Sequence, residues 1–173
     1  MRTLFAQLTQ NNEGLPAYSL IQEVHYYADN RGDSDMDIAL YRKRYIRVCV
    51  TNTTGKLVVL LRPLRRSLVV REVPFQNVEG DLLSFHKEAI LDFINAVGDN
   101  NPIHQEPPYV VPGLLIVETL WKQYGAKANK RGLLVVFHSA TIAEDQIQLV
   151  YNTWNQSLQA YGGGALLFTA QFQ

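Results

Sequence analysis

The residues that could do chemistry in this sequence lie close together, between positions 98 and 118. Asp99 and His104 stand five residues apart in a loop that Pro102 stiffens. A carboxylate can orient a water molecule, and an imidazole, which titrates near neutrality, can take a proton from that water or give one back. The alternative is that both residues only help to turn the chain after a helix, because aspartate and asparagine are common in turns. Spacing alone leaves both interpretations open.

Gly113 follows His104 by nine residues, at the start of an apolar helix predicted over residues 112–127. Glycine lets a ligand approach the backbone closely. The free N–H groups of a helix N-terminus can stabilise negative charge that develops on an oxygen. Pro112 is favourable near this helix start, because its missing N–H costs nothing there. An acid, a base and an oxyanion donor are therefore predicted within one short segment.

Glu118 lies inside the apolar run Ile-Val-Glu-Thr-Leu-Trp. It is either a solvated or salt-bridged helix residue, or a carboxyl group held in a low-dielectric pocket. In the second case its pKa would rise, and it could act as an acid or a base.

The elements that must position these residues are mainly strands in the first half of the chain. Alternation, partial over residues 17–28 and clearer over 38–51, predicts the first strands, and two further runs, 57–61 and 67–73, predict the next ones. Asn-Thr-Thr-Gly at 52–55 and the polar residues at 77–81 predict turns. Pro63 argues against one uninterrupted central strand at that point.

The second half contains both predicted helices. Helical spacing predicts the first over residues 84–97, and Gly98 ends it. The apolar helix over 112–127 follows, and the last predicted strands are 133–142, 146–154 and 165–172. The three glycines at 162–164 are expected to break or bulge an edge. Together the elements predict an α+β fold: an antiparallel sheet of six or seven strands wrapped around one long apolar helix.

The segment DFINAVGDNNPIH resembles the signature of R-specific enoyl-CoA hydratases and other MaoC-like proteins, which have the hot-dog fold. The matching residues are Phe93, Gly98, Asp99, Asn101, Pro102, Ile103 and His104. The resemblance implies that Asp99 and His104 form the catalytic dyad and that the N–H of Gly113 polarises a thioester carbonyl. It also implies that Asn101 and Pro112 contact the substrate. The segment between His104 and Gly113 is shorter than in most members of that family.

The segment VVPGLLIVETLWKQYG looks like the helix of a second hot-dog family, the β-hydroxyacyl-ACP dehydratases. By that resemblance His104 and Glu118, 14 residues apart (118 − 104), would form the catalytic pair, with Glu118 facing the histidine of the other subunit. The glycine, phenylalanine and proline that surround the dehydratase histidine are absent here.

The two resemblances cover residues 84–126 and suggest how the chain is divided. Residues 76–173 would form a MaoC-like hot-dog core. Residues 1–75 would form a β-rich segment that supplies either the opening strands of the same fold or the remnant of a second hot-dog unit.

The resemblances imply a hydratase or dehydratase that acts at C2–C3 of an acyl thioester. The substrate would be a trans-2-enoyl or (3R)-hydroxyacyl group on CoA or ACP, and the enzyme a homodimer or higher homo-oligomer. A non-catalytic hot-dog protein that binds an acyl thioester or only dimerises is the main alternative, and a thioesterase is another.

Composition limits the partners. Sixteen basic residues balance sixteen acidic ones, which argues against nucleic acid and anionic membrane as partners. The histidines are scattered, which predicts no metal site, and the single cysteine, Cys49, excludes an internal disulfide. No cofactor is expected. A polar beginning and the lack of an 18-residue apolar stretch predict a cytoplasmic protein.

The densest basic patch has two possible interpretations: a solvated strand face, or a docking surface for a phosphorylated carrier. It comprises Arg62, Arg65, Arg66 and Arg71, with Arg42, Lys43, Arg44 and Arg47 upstream.

Overall fold

The structure is a computed structural model that describes residues 1–10, 15–16, 18–28, 33–41, 44–64 and 81–173. Within these ranges nine strands form one antiparallel sheet, in the order β2-β3-β4-β1-β6-β9-β8-β7-β5. The strands are β1 (Ser19–Tyr27), β2 (Asp35–Tyr41), β3 (Tyr45–Asn52), β4 (Gly55–Pro63), β5 (Asp81–Leu83), β6 (Gly132–Phe137), β7 (Ile147–Asn152), β8 (Ser157–Gly162) and β9 (Ala165–Phe172).

Three α-helices lie in the described part of the chain: α1 (Arg2–Gln10), α2 (Lys87–Val97) and α3 (Gly113–Leu120). A 3₁₀ turn over Pro102–His104 precedes α3, and a π-helical turn over Trp121–Gly125 continues it. None of the described helices is long and apolar enough to cross a membrane.

Local sequence patterns explain these elements. In β4 every second residue from Gly55 to Leu61 is buried, as expected for a strand with one covered face. In α1 the buried residues Leu4, Phe5 and Leu8 lie on one face, and the Phe5 ring contacts Phe93 of α2 edge-on with the ring centroids 6.1 Å apart. Full burial of such a side chain contributes about 1.5–3 kcal/mol, so these faces hold α1 and α2 together.

Strand β1 connects the two halves of the sheet. Val24 pairs with Val59 of β4 on one side and with Val135 of β6 on the other. The strands of residues 1–64 therefore continue the sheet formed by the later strands. This pairing is compatible with both interpretations of residues 1–75, so the division at 75/76 stays a prediction.

The α+β class and the antiparallel sheet agree with the prediction, but several predicted elements need correction. The segment 38–51 contributes to two strands, β2 and β3, which pair antiparallel with Tyr41 opposite Tyr45. Segment 133–142 is a strand only as far as Phe137. The described sheet has nine strands rather than six or seven, since β2, β5 and β8 were not predicted separately.

The glycines at 162–164 form the turn of a hairpin rather than an edge bulge. Gly163 and Gly164 have φ values of 55° and 79°, a left-handed conformation that glycine adopts without steric cost. The register of β8 shifts between Ala160 and Tyr161, before these glycines.

The predicted helices differ in extent. The apolar helix expected over 112–127 is α-helical for eight residues and then widens into the π turn. Both this helix and α1 cover the sheet. The sequence patterns did not predict α1. The expected strand over 67–73 and most of the turn at 77–81 lie outside the described residues.

Candidate active site

The loop that carries Asp99 begins where α2 ends. Gly98 is left-handed (φ 71°), and its N–H bonds to the Ile94 carbonyl. Asp99 follows, and its Oδ1 accepts a hydrogen bond from the Asn101 backbone N–H at 2.9 Å. Asn101 in turn donates from Nδ2 to the Ser19 carbonyl of β1 at 2.9 Å, and its Oδ1 accepts from Ile103 N–H at 3.4 Å. The Asn101 side chain thus anchors the loop to the sheet.

His104 ends the 3₁₀ turn and is 7% exposed. Its Nδ1 lies 2.6 Å from the carbonyl oxygen of Val110. A carbonyl can only accept, so Nδ1 carries a proton. In the neutral ring Nε2 is therefore an acceptor.

The free nitrogen faces Asp99. His104 Nε2 and Asp99 Oδ2 are 3.8 Å apart, and their side chains are 8% and 16% exposed. Burial lowers the pKa of His104, although the Asp99 charge and the Val110 carbonyl act in the opposite direction. Near neutral pH the imidazole is therefore neutral, and the two acceptors lie close enough for one hydrogen-bond donor with two protons, placed beside them, to bridge both.

Asp99 and His104 open into one cavity of about 950 Å³. The predicted site residues Asn101 and Gly113 also line it, whereas Pro112 and Glu118 do not. Much of the remaining wall is apolar and comes from several elements, including Leu8 of α1, Leu61 of β4, Leu114 of α3 and Phe137 of β6.

Gly113 is the first residue of α3, after Pro112 as the N-cap. Helix geometry leaves its N–H without an acceptor inside the helix. A Cβ at this position would lie 3.2 Å from both Ile21 Cδ1 and Phe137 Cζ. The glycine therefore allows the N-terminus of α3 to sit close against β1 and β6 at the cavity wall.

The Glu118 side chain lies outside the cavity lining and is bound by two basic residues. Its carboxylate accepts hydrogen bonds from Arg2 Nε at 2.8 Å and Arg2 Nη2 at 2.9 Å, and Lys122 Nζ lies 3.2 Å away. Burial alone would raise its pKa, but the bonds from Arg2 and Lys122 outweigh burial and lower it. Of the two interpretations of Glu118, the structure shows the salt-bridged helix residue within this chain.

The sequence patterns missed several residues that line the cavity. Leu8 and Thr9 come from α1, whose Leu4-Phe5-Leu8 spacing was a detectable helical signal. Thr141 and Asp145 come from the loop between β6 and β7, where no local pattern marks them.

Comparisons with known proteins test the resemblance. No protein-family model and no curated protein sequence matches this chain. Among solved structures, HtdX from Mycobacterium tuberculosis superimposes with a TM-score of 0.69 and 14% identity over 99% of this chain and 83% of that chain. A MaoC-like dehydratase from Phytophthora capsici gives a TM-score of 0.59 and 15% identity, over 91% of this chain and 72% of that chain.

An acyl-ACP thioesterase from Bacteroides thetaiotaomicron is similar as well, with a TM-score of 0.53 and 8% identity over 89% of this chain and 75% of that chain. At these identities the likeness concerns the fold. The chain therefore has the hot-dog fold, and the solved structures that share it include MaoC-like dehydratases, in agreement with the resemblance of residues 93–104 to that family.

Proposed function

We propose that this protein is a hydratase or dehydratase that adds or removes water at C2–C3 of an acyl thioester. The observation that carries the proposal is the 3.8 Å gap between His104 Nε2 and Asp99 Oδ2, in the wall of a cavity that Gly113 also lines. Both atoms are acceptors, so they suit a water molecule or substrate hydroxyl rather than each other.

In hydration, one water molecule bridges His104 and Asp99 and donates a hydrogen bond to each. The water oxygen attacks C3 of the enoyl group while Nε2 takes the transferred proton. The imidazolium then delivers this proton to C2, so the elements of water are added across the double bond. Asp99 keeps the water oriented and its charge stabilises the imidazolium. Dehydration follows the same steps in reverse.

The thioester oxygen gains negative charge as C3 is attacked. The N–H of Gly113, which has no acceptor within the helix, is the proposed donor to this oxygen. Asn101 contributes by holding the loop through Ser19. Glu118 is not part of this proposal, because Arg2 and Lys122 occupy its carboxylate.

The cavity fits a substrate larger than a four-carbon acyl group. Its volume of about 950 Å³ is near the upper end of small-molecule sites, which span about 300–1,000 Å³. The apolar wall suits an alkyl chain. Arg62 is the only Lys or Arg among the described residues that line it, and a cation at this point suits the phosphate groups of CoA or of the ACP carrier arm.

The homodimer implied by the resemblance also remains a proposal. Asp99, His104 and Gly113 line the cavity of a single chain, so the proposed reaction does not require a second subunit to supply these groups. Light scattering on the purified protein measures the oligomeric state directly.

The proposed function is tested by incubating the protein with crotonyl-CoA. We expect loss of the ultraviolet absorbance of the conjugated enoyl thioester and no release of free thiol. Thiol release, detected with a chromogenic disulfide reagent, would indicate a thioesterase instead. Thermal stabilisation by crotonyl-CoA without either product would indicate an acyl-thioester-binding protein.

A further inference from the structure

The loop between β6 and β7 brings a second group of polar side chains to the cavity. Thr141 lines it and is 3% exposed. In the described part of the chain, the buried hydroxyl of Thr141 has no hydrogen-bond partner. Buried hydroxyl groups nearly always have one, so an unsatisfied one in a cavity wall needs a partner from outside the chain.

Asp145 lies in the same loop and lines the same cavity. Its Oδ2 accepts a hydrogen bond from the Ile142 N–H at 3.3 Å. A carboxylate accepts several hydrogen bonds, so Asp145 keeps capacity for a further donor. Asp145 is half-buried, and this burial raises its pKa.

Backbone contacts place this loop beside the dyad. The Val111 N–H donates to the Thr141 carbonyl at 2.8 Å, and Val110 forms a bridge with Ile142. The Val110 carbonyl is the acceptor for His104 Nδ1. Thr141 is therefore linked to His104 through two adjacent residues, although the proposed water addition does not use it.

We propose that Thr141 and Asp145 form a second polar subsite that binds a hydrogen-bond donor of the substrate, an O–H or an N–H. The inference rests on the proposed function, because it concerns the same cavity and a thioester substrate. A rotation of roughly 120° about the Cα–Cβ bond moves the threonine hydroxyl into the position of the methyl group. The Thr141 hydroxyl can thereby reach a ligand that occupies the cavity, and Asp145 accepts from the same ligand.

The donor has two possible sources in an acyl thioester. One is a hydroxyl group on the acyl chain beyond C3, and the other is an amide N–H of the carrier arm. A plain alkyl chain offers neither, and a carboxylate and an unsatisfied hydroxyl would be an unfavourable lining for it.

Three substrates with the same reactive group separate these sources: trans-2-hexenoyl-CoA, its 5-hydroxy derivative, and S-ethyl trans-2-hexenethioate, which has no amide. The variants are Thr141→Val, which replaces the hydroxyl with a methyl group, and Thr141→Ser, which restores a hydroxyl. Asp145→Asn can keep the side-chain oxygen that accepts from the Ile142 N–H, but it replaces the second carboxylate oxygen with an NH₂ group, which is a donor. Gln146→Ala, at an exposed neighbouring position, is the matched control.

The quantities compared are ratios of kcat/KM between substrates. If the acyl hydroxyl is bound, Thr141→Val and Asp145→Asn reduce the preference for the 5-hydroxy substrate about tenfold, the value of one neutral hydrogen bond. If the carrier amide is bound, they reduce the preference for hexenoyl-CoA over the ethyl thioester by a similar factor. Thr141→Ser restores either ratio, and Gln146→Ala keeps the wild-type ratios.

Ratios that stay at wild-type values in both Thr141→Val and Asp145→Asn would overturn the inference and leave a buried water as the partner of Thr141. A wild-type protein that converts none of the thioesters would refute the proposed function alone. In that case the dissociation constants of the three thioesters are measured by calorimetry, and their ratios are compared between wild type and variants. Altered ratios in the variants support the subsite, whereas unchanged ratios or no binding overturn it.

Discussion

Arg2 and Glu118, 116 positions apart in the chain, are joined by two hydrogen bonds of 2.8 and 2.9 Å. This pair fastens α1 to α3, the helix whose N-terminus lines the candidate site. The Glu118 side chain is 7% exposed, whereas that of Arg2 is 51% exposed. The interaction therefore neutralises a buried carboxylate from a partly solvated position.

We expect Glu118→Gln to lower stability while keeping activity. The substitution preserves shape but removes the charge that Arg2 and Lys122 bind, at a cost of about 1–3 kcal/mol, reduced by the exposure of Arg2. Chemical denaturation measures this loss, and kcat/KM for crotonyl-CoA should stay within several-fold of wild type. A folded Glu118→Gln protein as inactive as His104→Ala would instead support the catalytic role implied by the dehydratase-like helix.

The pH also affects this contribution. Because the pKa of Glu118 is lowered in the folded protein, the stabilisation by its ionised carboxylate is fully present above the unfolded value of 4.5. This stabilisation is lost as the pH falls through the folded pKa. The stability difference between wild type and Glu118→Gln should therefore shrink on acidification below about pH 4.5. A difference that grows in this range would contradict the assignment.

Sequence patterns could locate the loop of Asp99 and His104 but not the surroundings that decide their chemistry. The spacing of residues 84–97 and the glycine after them are local signals, and α2 ends at the expected residue. The acceptor for His104 Nδ1 is the backbone carbonyl of Val110, which no residue pattern encodes. Glu118 has one partner four residues away, Lys122, but the two hydrogen bonds from Arg2 come from 116 positions away, so the choice between its two interpretations depended on tertiary contacts.

In the fold, too, local patterns predicted some elements and missed others. Sequence patterns identified most strand segments, but the division of 38–51 into two paired strands was missed because apolar residues occur in both of them. Helix α1 was missed because only three of its residues are buried, Leu4, Phe5 and Leu8, within a polar segment.

Protonation of His104 should be detectable by NMR titration of its imidazole resonances. Burial lowers its pKa, so we expect the midpoint below the ordinary value of 6.5. The charge of Asp99 raises this pKa, so Asp99→Asn should move the midpoint further down. A midpoint that rises in Asp99→Asn would show that the two groups do not face each other as described. Hydration needs the neutral ring, so the rate should fall on acidification through the same midpoint.

Gly113→Ala should lower both stability and activity. The new Cβ would lie 3.2 Å from Ile21 Cδ1 and Phe137 Cζ, and overpacking of this kind costs about 1–3 kcal/mol. Adding Ile21→Val removes the Cδ1 atom and should recover part of the stability, as thermal unfolding would show. If the double variant recovers no stability, the contact with Ile21 Cδ1 is not what restricts residue 113 to glycine.

Asn101 offers a test of loop anchoring. Asn101→Ala removes the bond to Ser19 and the acceptor for Ile103 N–H, and displacement of the dyad should lower kcat about 10- to 100-fold. Asn101→Asp keeps an acceptor but loses the donor to Ser19, so it should be impaired as well. Asn95→Ala, at an exposed position on α2, is the control. Wild-type kcat in both Asn101 variants would argue against an anchoring role.

The most direct measurement is the rate of crotonyl-CoA hydration by wild type, His104→Ala and Asp99→Asn, with circular dichroism confirming that all three are folded. Positioned acid–base groups contribute about a hundredfold to ten-thousandfold, so each variant should lose kcat/KM by a factor in that range. Folded variants that hydrate crotonyl-CoA as fast as wild type would contradict a water addition carried out between His104 Nε2 and Asp99 Oδ2.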